Sequence, residues 1–125
     1  MEKKDKQTST VTLPQSLHPG LTIADDGDYE ALAYSDQEYI GKTIVNLRLE
    51  NCTLTHTSFS QARIVDLKFK HVRFEDCDLA NLVLEKATLE NVEFIKCRMT
   101  GLKLAQGSVR DTLLKGCQMK LSSFR

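Results

Sequence analysis

The chain has 125 residues, 41% of them apolar, which is enough for one globular domain and short for two. Its 17 Lys and Arg balance 17 Asp and Glu, so the whole-molecule field that draws basic proteins to nucleic acid or anionic membranes is absent. No segment approaches the run of about 18 apolar residues of a membrane-spanning helix, and the charged start, Met1 to Lys6, lacks the apolar stretch of a secretory signal. A cytoplasmic protein with free thiols is the expectation.

Residues 1–20 are polar, with Lys3, Lys4 and Lys6, a Ser/Thr run, Pro14 and Pro19, and read as a flexible N-terminal arm. Residues 21–43 hold Asp25, Asp26, Asp28, Glu30, Asp36 and Glu38 against Lys42 alone, a net charge of −5. They read as an acidic capping segment in which Leu32, Tyr34, Tyr39 and Ile44 cover the first coil of the region after residue 43; the apolar spacing over 28–38 does not decide between a helix and an extended chain.

From residue 44 onward a period of five takes over. Every fifth residue is large and apolar: Leu49, Leu54, Phe59, Ile64, Phe69, Phe74, Leu79, Leu84, Leu89, Phe94, Met99, Leu104, Val109, Leu114, Met119 and Phe124. Sixteen consecutive hits at this composition arise by chance in roughly one register in a million. Two residues earlier runs a second series of smaller side chains, among them Cys52, Thr57, Ala62, Val72, Cys77, Ala87, Val92, Cys97, Gly107 and Cys117. Residues two apart share a side of an extended chain, so each pentad is a short strand with two inward side chains and a bend. Both prolines lie outside this region, as an uninterrupted backbone ladder requires.

The pattern resembles the pentapeptide-repeat family, whose unit is A-(D/N)-L-x-x with Leu or Phe at its centre. Cys77-Asp78-Leu79-Ala80-Asn81 matches most fully, and Ala62-Arg63-Ile64 and Ala87-Thr88-Leu89 keep the small-x-large core. The chain departs from the pattern at Leu47, Leu67, Leu82 and Leu102, which stand where the family has a smaller residue. The resemblance implies an all-β fold over residues 44–125: a right-handed quadrilateral parallel β-helix of about four coils, four pentads to a coil.

A coil of twenty residues can be tested on charge, since residues twenty apart become neighbours about 4.8 Å apart. Of the eight such pairs with both members charged, seven are opposite in sign: Glu50/Lys70, Asp66/Lys86, Lys70/Glu90, Arg73/Glu93, Asp76/Lys96, Asp78/Arg98 and Glu90/Arg110; Arg48/Lys68 is the exception. Chance gives that bias about one time in thirty. The last coil reads as the weakest, with Gly107 leaving an inner position empty and Gly101 and Gly116 loosening corners. The sequence stops at Arg125 at the close of a coil with nothing to cover the edge, so either the molecule associates through its C-terminal end or it is a shortened piece of a longer array.

Residues that could carry chemistry are few. Cys77, Cys97 and Cys117 fall in one inward column and Cys52 on another face; a collinear column cannot surround a tetrahedral zinc, and thiols at strand spacing exceed a relaxed disulfide, so they read as small apolar fillers. His18 lies in a turn, and His56 and His71 fall at exposed corners of different faces, which gives no acid-base dyad. Asp25-Asp26-Gly27-Asp28 lacks the alternating ligands of a calcium loop and reads as an acidic turn. No catalytic residue, cofactor or metal is expected. Apolar residues at outward or terminal positions, Ile95, Leu113, Leu121 and Phe124, mark a candidate protein contact.

The expectation is a non-catalytic structural or protein-interaction module with an unidentified protein partner, forming a homodimer through the C-terminal coil, without nucleic acid or membrane. The resemblance also implies an alternative, a modulator of DNA gyrase that imitates duplex DNA, as some pentapeptide-repeat proteins do. A strongly negative rod suits that role, whereas residues 44–125 carry a net charge of +4.

Overall fold

The computed structural model describes residues 22–120 and the backbone of Ser123 and Phe124; the expected arm over 1–20 lies outside them. Among the described residues nine parallel strands wind into a β-solenoid: β1 (Asp28–Glu30), β2 (Ala33–Ser35), β3 (Thr43–Thr55), β4 (Arg63–Glu75), β5 (Val83–Ile95), β6 (Lys103–Ala105), β7 (Ser108–Arg110), β8 (Leu113–Lys115) and β9 (Ser123–Phe124). The register advances by twenty residues throughout, as in Tyr29↔Leu49, Leu49↔Phe69, Phe69↔Leu89 and Leu89↔Val109, so that four turns separate Tyr29 from Val109.

Each of β3, β4 and β5 runs along three faces of a coil, bending twice. The fourth face is held by single bridges, Glu38↔Ser58, Ser58↔Asp78, Asp78↔Arg98 and Arg98↔Gln118. What bends the chain is a left-handed residue at every fifth position. From Asp26 to Gly116 all of these have φ between 51° and 74°, and nine of them are Asp or Asn. That conformation costs most L-residues about 1–2 kcal/mol, less for Asn and Asp, and nothing for Gly. Gly101 and Gly116, expected to loosen corners, therefore occupy positions that suit glycine (φ 74° and 67°).

The two apolar series line the inside of the solenoid. Leu49, Leu54, Phe59, Ile64, Phe69, Phe74, Leu79, Leu84, Leu89, Phe94, Met99 and Leu104 are all buried, and so are Leu47, Leu67, Leu82 and Leu102, the four oversized residues of the second series. Each such side chain contributes about 1.5–3 kcal/mol over leaving it in water. Rings on successive coils stack, Tyr39 on Phe59 at 5.0 Å and Phe74 on Phe94 at 5.1 Å between centroids, with planes 15° and 9° apart. Gly107 does not leave a void. A Cβ there would lie 3.1 Å from Cγ and Cδ1 of Leu104, whose side chain occupies the space.

The expected division at residue 44 has no counterpart in the architecture. Residues 28–35 are extended, not helical, and β1 and β2 pair with β3 in the same twenty-residue register as every later coil. The acidic segment does lie against the edge of β3, but as a further coil. Its first turn is tied to β3 and to itself by polar groups: Asp25 Oδ1 accepts from Val45 N (2.9 Å), Asp26 Oδ1 accepts from Asn46 Nδ2 (2.9 Å), and Tyr29 Oη donates to Thr22 O (2.9 Å).

Candidate interaction surface

The two ends of the solenoid differ. At the N-terminal end Ile23, Tyr34 and Tyr39 are buried, and Tyr39 Oη accepts from Ile23 N at 3.1 Å. At the other end the same inward columns run out: Val109 is 45% exposed and Leu114 42%. Between these residues lies an apolar cavity of about 210 Å³, walled by Phe94, Met99, Leu102, Leu104, Val109 and Leu114 among others. The same coil carries the exposed cations Arg110, Lys115 and Lys120, with Asp111 the one acid among residues 104–120.

Of the residues expected to make a protein contact, Leu113 is 49% exposed. Ile95 is half-buried. They share a face but are not opposite each other, since Leu113 lies across from Glu93 and Ile95 across from Lys115. Leu121 lies outside the described residues. Phe124 is described in its backbone alone, which pairs with Leu104. Sequence reasoning placed Val109 and Leu114 only in the inward series; their exposure comes from standing on the last described coil, which the alternation of inward and outward positions does not reveal.

The charge ladder is partly realised. Arg73 Nε donates to Glu93 Oε1 at 2.8 Å, and Arg98–Asp78 and Arg110–Glu90 close to 3.3 and 3.8 Å. A pair outside the twenty-residue rule runs diagonally, Arg63 Nη2 donating to both carboxylate oxygens of Glu85, Oε1 at 2.9 Å and Oε2 at 2.8 Å. Positive and negative side chains alternate along one face as Glu50, Lys70, Glu90 and Arg110.

The four thiols are free, with Cys117 alone half-exposed. Cys77, Cys97 and Cys117 repeat one contact, each Sγ donating to the carbonyl 23 residues back: Leu54, Phe74 and Phe94 at 3.3, 3.3 and 3.1 Å. The neighbouring Cys77 thiol and burial together push the Cys97 thiol up, and burial pushes up that of Cys52. Protonated, buried thiols are inert as nucleophiles. His56 stands at an exposed corner 3.7 Å from the Asp76 carboxylate. His71, expected in solvent, is half-buried with Nδ1 enclosed and without a partner. The two do not meet, and His18 lies outside the described residues. Among the described residues no group of three or more potential metal ligands occurs, and no helix is long and apolar enough to cross a membrane.

Two family models match the chain, one described as pentapeptide repeat region over residues 67–125 and one as pentapeptide repeats (8 copies) over residues 45–81. No curated protein matches it. Among solved structures it is similar to the pentapeptide repeat protein Rfr23 from the cyanobacterium Cyanothece 51142, with 15% identity, a TM-score of 0.44 and coverage of 81% of this chain and 90% of that one. HetL, involved in heterocyst differentiation regulation in Nostoc sp. strain PCC 7120, shows 16% identity and a TM-score of 0.44, over 78% of this chain and 47% of its own. QnrB1, a plasmid-mediated fluoroquinolone resistance protein, shows 14% identity and a TM-score of 0.41, over 73% and 57%. The chain thus spans about half the length of these last two.

Proposed function

The chain belongs to the pentapeptide-repeat family, and from that premise we propose that it is a non-catalytic protein-interaction module whose contact surface is the C-terminal coil. The observation that carries this reading is the pair Val109 and Leu114, inward residues of the repeat that stand nearly half exposed around an apolar cavity. Large apolar side chains on an uncovered strand edge favour pairing with another chain.

A duplex-DNA mimic draws less support. Mimicry needs a continuous negative surface, whereas the face through Glu50, Lys70, Glu90 and Arg110 changes sign at each step, and the acids concentrate on the first coil. The test is solution mass by light scattering over a concentration series. Mass is expected to rise above 14.1 kDa with concentration, and Leu114→Asp is expected to abolish the rise. A wild-type protein that stays monomeric throughout overturns the proposal as far as it concerns self-association.

A further inference from the structure

The cysteine column is too open for a disulfide and too straight for a tetrahedral ion, and both properties suit a third kind of bond. Cys97 and Cys117 stand on adjacent coils joined at this point: Gln118 N donates to Cys97 O at 3.0 Å, and Arg98 bridges to Gln118. Their side chains are held alike. Cys97 Sγ lies 3.3 Å from Phe74 O and 3.5 Å from Ile95 O, and Cys117 Sγ 3.1 Å from Phe94 O and 3.6 Å from Lys115 O. Each sulfur is thus fixed against the carbonyls 23 and two residues back, so the two repeat at the spacing of neighbouring strands, about 4.8 Å. A metal–thiolate bond is about 2.3 Å long, and two of them in line span about 4.6 Å. A closed-shell monovalent ion takes two donors in line, and sulfur donors select Cu(I).

The cysteines of the column are not equivalent. Cys77 is surrounded in sequence by Glu75, Asp76 and Asp78, and the Asp76 charge opposes its ionisation. Cys97 lies between Lys96 and Arg98, the latter paired with Asp78, and Cys117 follows Lys115 by two residues. Two thiolates on one monovalent ion carry a net charge of −1, which cations nearby stabilise and acids do not. The same two coils place a methionine at the next inward position, as Cys97-Arg98-Met99 and Cys117-Gln118-Met119, where the coil before has Cys77-Asp78-Leu79. Met99 is buried and Met119 partly buried against the core, so the surroundings are rich in polarizable sulfur. Cys117 is half-exposed and gives an ion its way in to Cys97, which is buried.

We propose that Cys97 and Cys117 form a linear two-coordinate site for a soft monovalent cation of the Cu(I) type. Loading exchanges protons for metal: two thiols and one monovalent ion give one S–metal–S unit of charge −1 and two protons released to water. No sulfur is oxidised. Affinity therefore rises with pH.

The test titrates the reduced chain with Ag(I), a redox-inert ion of the same class, and under anaerobic conditions with Cu(I) against a chromophoric chelator. One ion per chain is expected, with thiolate-to-metal absorption in the ultraviolet and two sulfur neighbours by X-ray absorption. Cys97→Ser and Cys117→Ser should each weaken binding by more than the about 10–100-fold that loss of an outer-sphere partner costs. Cys52→Ser and Cys77→Ser should leave it unchanged. A hydroxyl fits this column, since Thr57 Oγ1 donates to Thr55 O at 3.1 Å. Circular dichroism melts establish that the variants fold, and Cys117→Ser, at a half-exposed position, carries the test should Cys97→Ser not fold. If Cys77→Ser loses the ion and Cys117→Ser keeps it, the assigned pair is wrong. If Cys97→Ser still binds half an ion per chain, the ion joins Cys117 of two copies and there is no internal site. If wild type binds no more tightly than Cys117→Ser, the proposal falls.

Discussion

Tyr34 and Leu114 occupy the same inward column four turns apart, yet Tyr34 is 3% exposed and Leu114 42%. Identical backbone register at the two ends produces one closed surface and one open one. The difference is in what lies beyond the column: a tyrosine cluster tied to Ile23 at one end, a cavity at the other.

Charge introduced in the middle of that column and at its open end should have unequal effects. Phe74 sits in the middle of the same column, stacked on Phe94 at 5.1 Å and meeting Phe59 at 6.4 Å. Phe74→Asp strips the ring and buries an unpaired carboxylate, a loss expected to exceed about 4 kcal/mol and to leave the chain unfolded at 25 °C. Leu114→Asp, at an exposed position, is expected to cost no more than about 1 kcal/mol. Thermal melts followed by circular dichroism compare them, and similar midpoints would mean that Phe74 is not inward.

The corners allow a test of backbone conformation with little interference from packing. Ala31 is exposed and left-handed at φ 59°, so Ala31→Gly relieves strain and should stabilise by about 0.5–1 kcal/mol after the entropy glycine adds to the unfolded chain. Gly41→Ala should do the reverse by about 1 kcal/mol, because φ is 69° and an added Cβ meets nothing within 4 Å. Gly101→Ala should cost more than Gly41→Ala, since φ is 74° and the exposed Asn81 side chain, whose Oδ1 the new Cβ would meet, must also turn away. Urea midpoints order the three variants.

Much of this solenoid is legible in the sequence, and the parts that are not have identifiable causes. Large residues at intervals of five give the inward columns because a buried position tolerates little else, and opposite charges twenty apart give the coil length. The corners are legible too, in a series that begins Asp26, Ala31, Asp36, Gly41, Asn46 and Asn51; its Asn, Asp and Gly content is the mark of left-handed backbone. Attention to apolar residues alone passes over it, and so treats Gly101 and Gly116 as weak points. That residues 28–35 already belong to the solenoid is hidden for a related reason. Its first coil uses Tyr29, Tyr34 and Tyr39 in the columns, and the acids around them suggest a separate segment. The exposure of Val109 and Leu114 depends on whether another layer packs over them in space, which a local pattern cannot encode.

Buried hydroxyl and thiol groups set a direction for pH dependence. Burial holds the Tyr34 phenol above its ordinary value of 10.0 and the Cys52 thiol above 9.0, and the Cys97 thiol is raised as well. Each of these acids ionises more readily in the unfolded chain, so their contribution is complete below pH 9 and is lost as pH climbs through and beyond those ordinary values. Stability to urea should therefore fall between pH 8.5 and about pH 11. Tyr34→Phe should reduce that fall, and near neutrality should add about 1 kcal/mol, because the Tyr34 hydroxyl is enclosed with no hydrogen-bond partner. A midpoint that is flat across this range, or a Tyr34→Phe variant that is less stable than wild type at pH 7, would contradict the assignment.

Thiol reactivity should separate the cysteines by place. Cys117 is half-exposed on the last coil while Cys52, Cys77 and Cys97 are buried. Iodoacetamide on the native protein is expected to give a single adduct at Cys117 by mass spectrometry, and four adducts once urea unfolds the chain. Native labelling at Cys77 or Cys97 before Cys117 would mean that the column opens from within.

Because each face of the solenoid comes five residues after the last and each coil twenty, the chain's tolerance of insertion and deletion is set by arithmetic. Loss of one pentad from the middle of β4 would leave every local pattern intact, yet would turn all later coils by a quarter revolution against the earlier ones, setting Arg73 and Asp78 over Arg48 and Thr53 in place of Thr53 and Ser58. Loss of twenty residues would return every face to its own column and shorten the molecule by one storey. Length in such a protein is free to vary in whole coils and constrained in anything less.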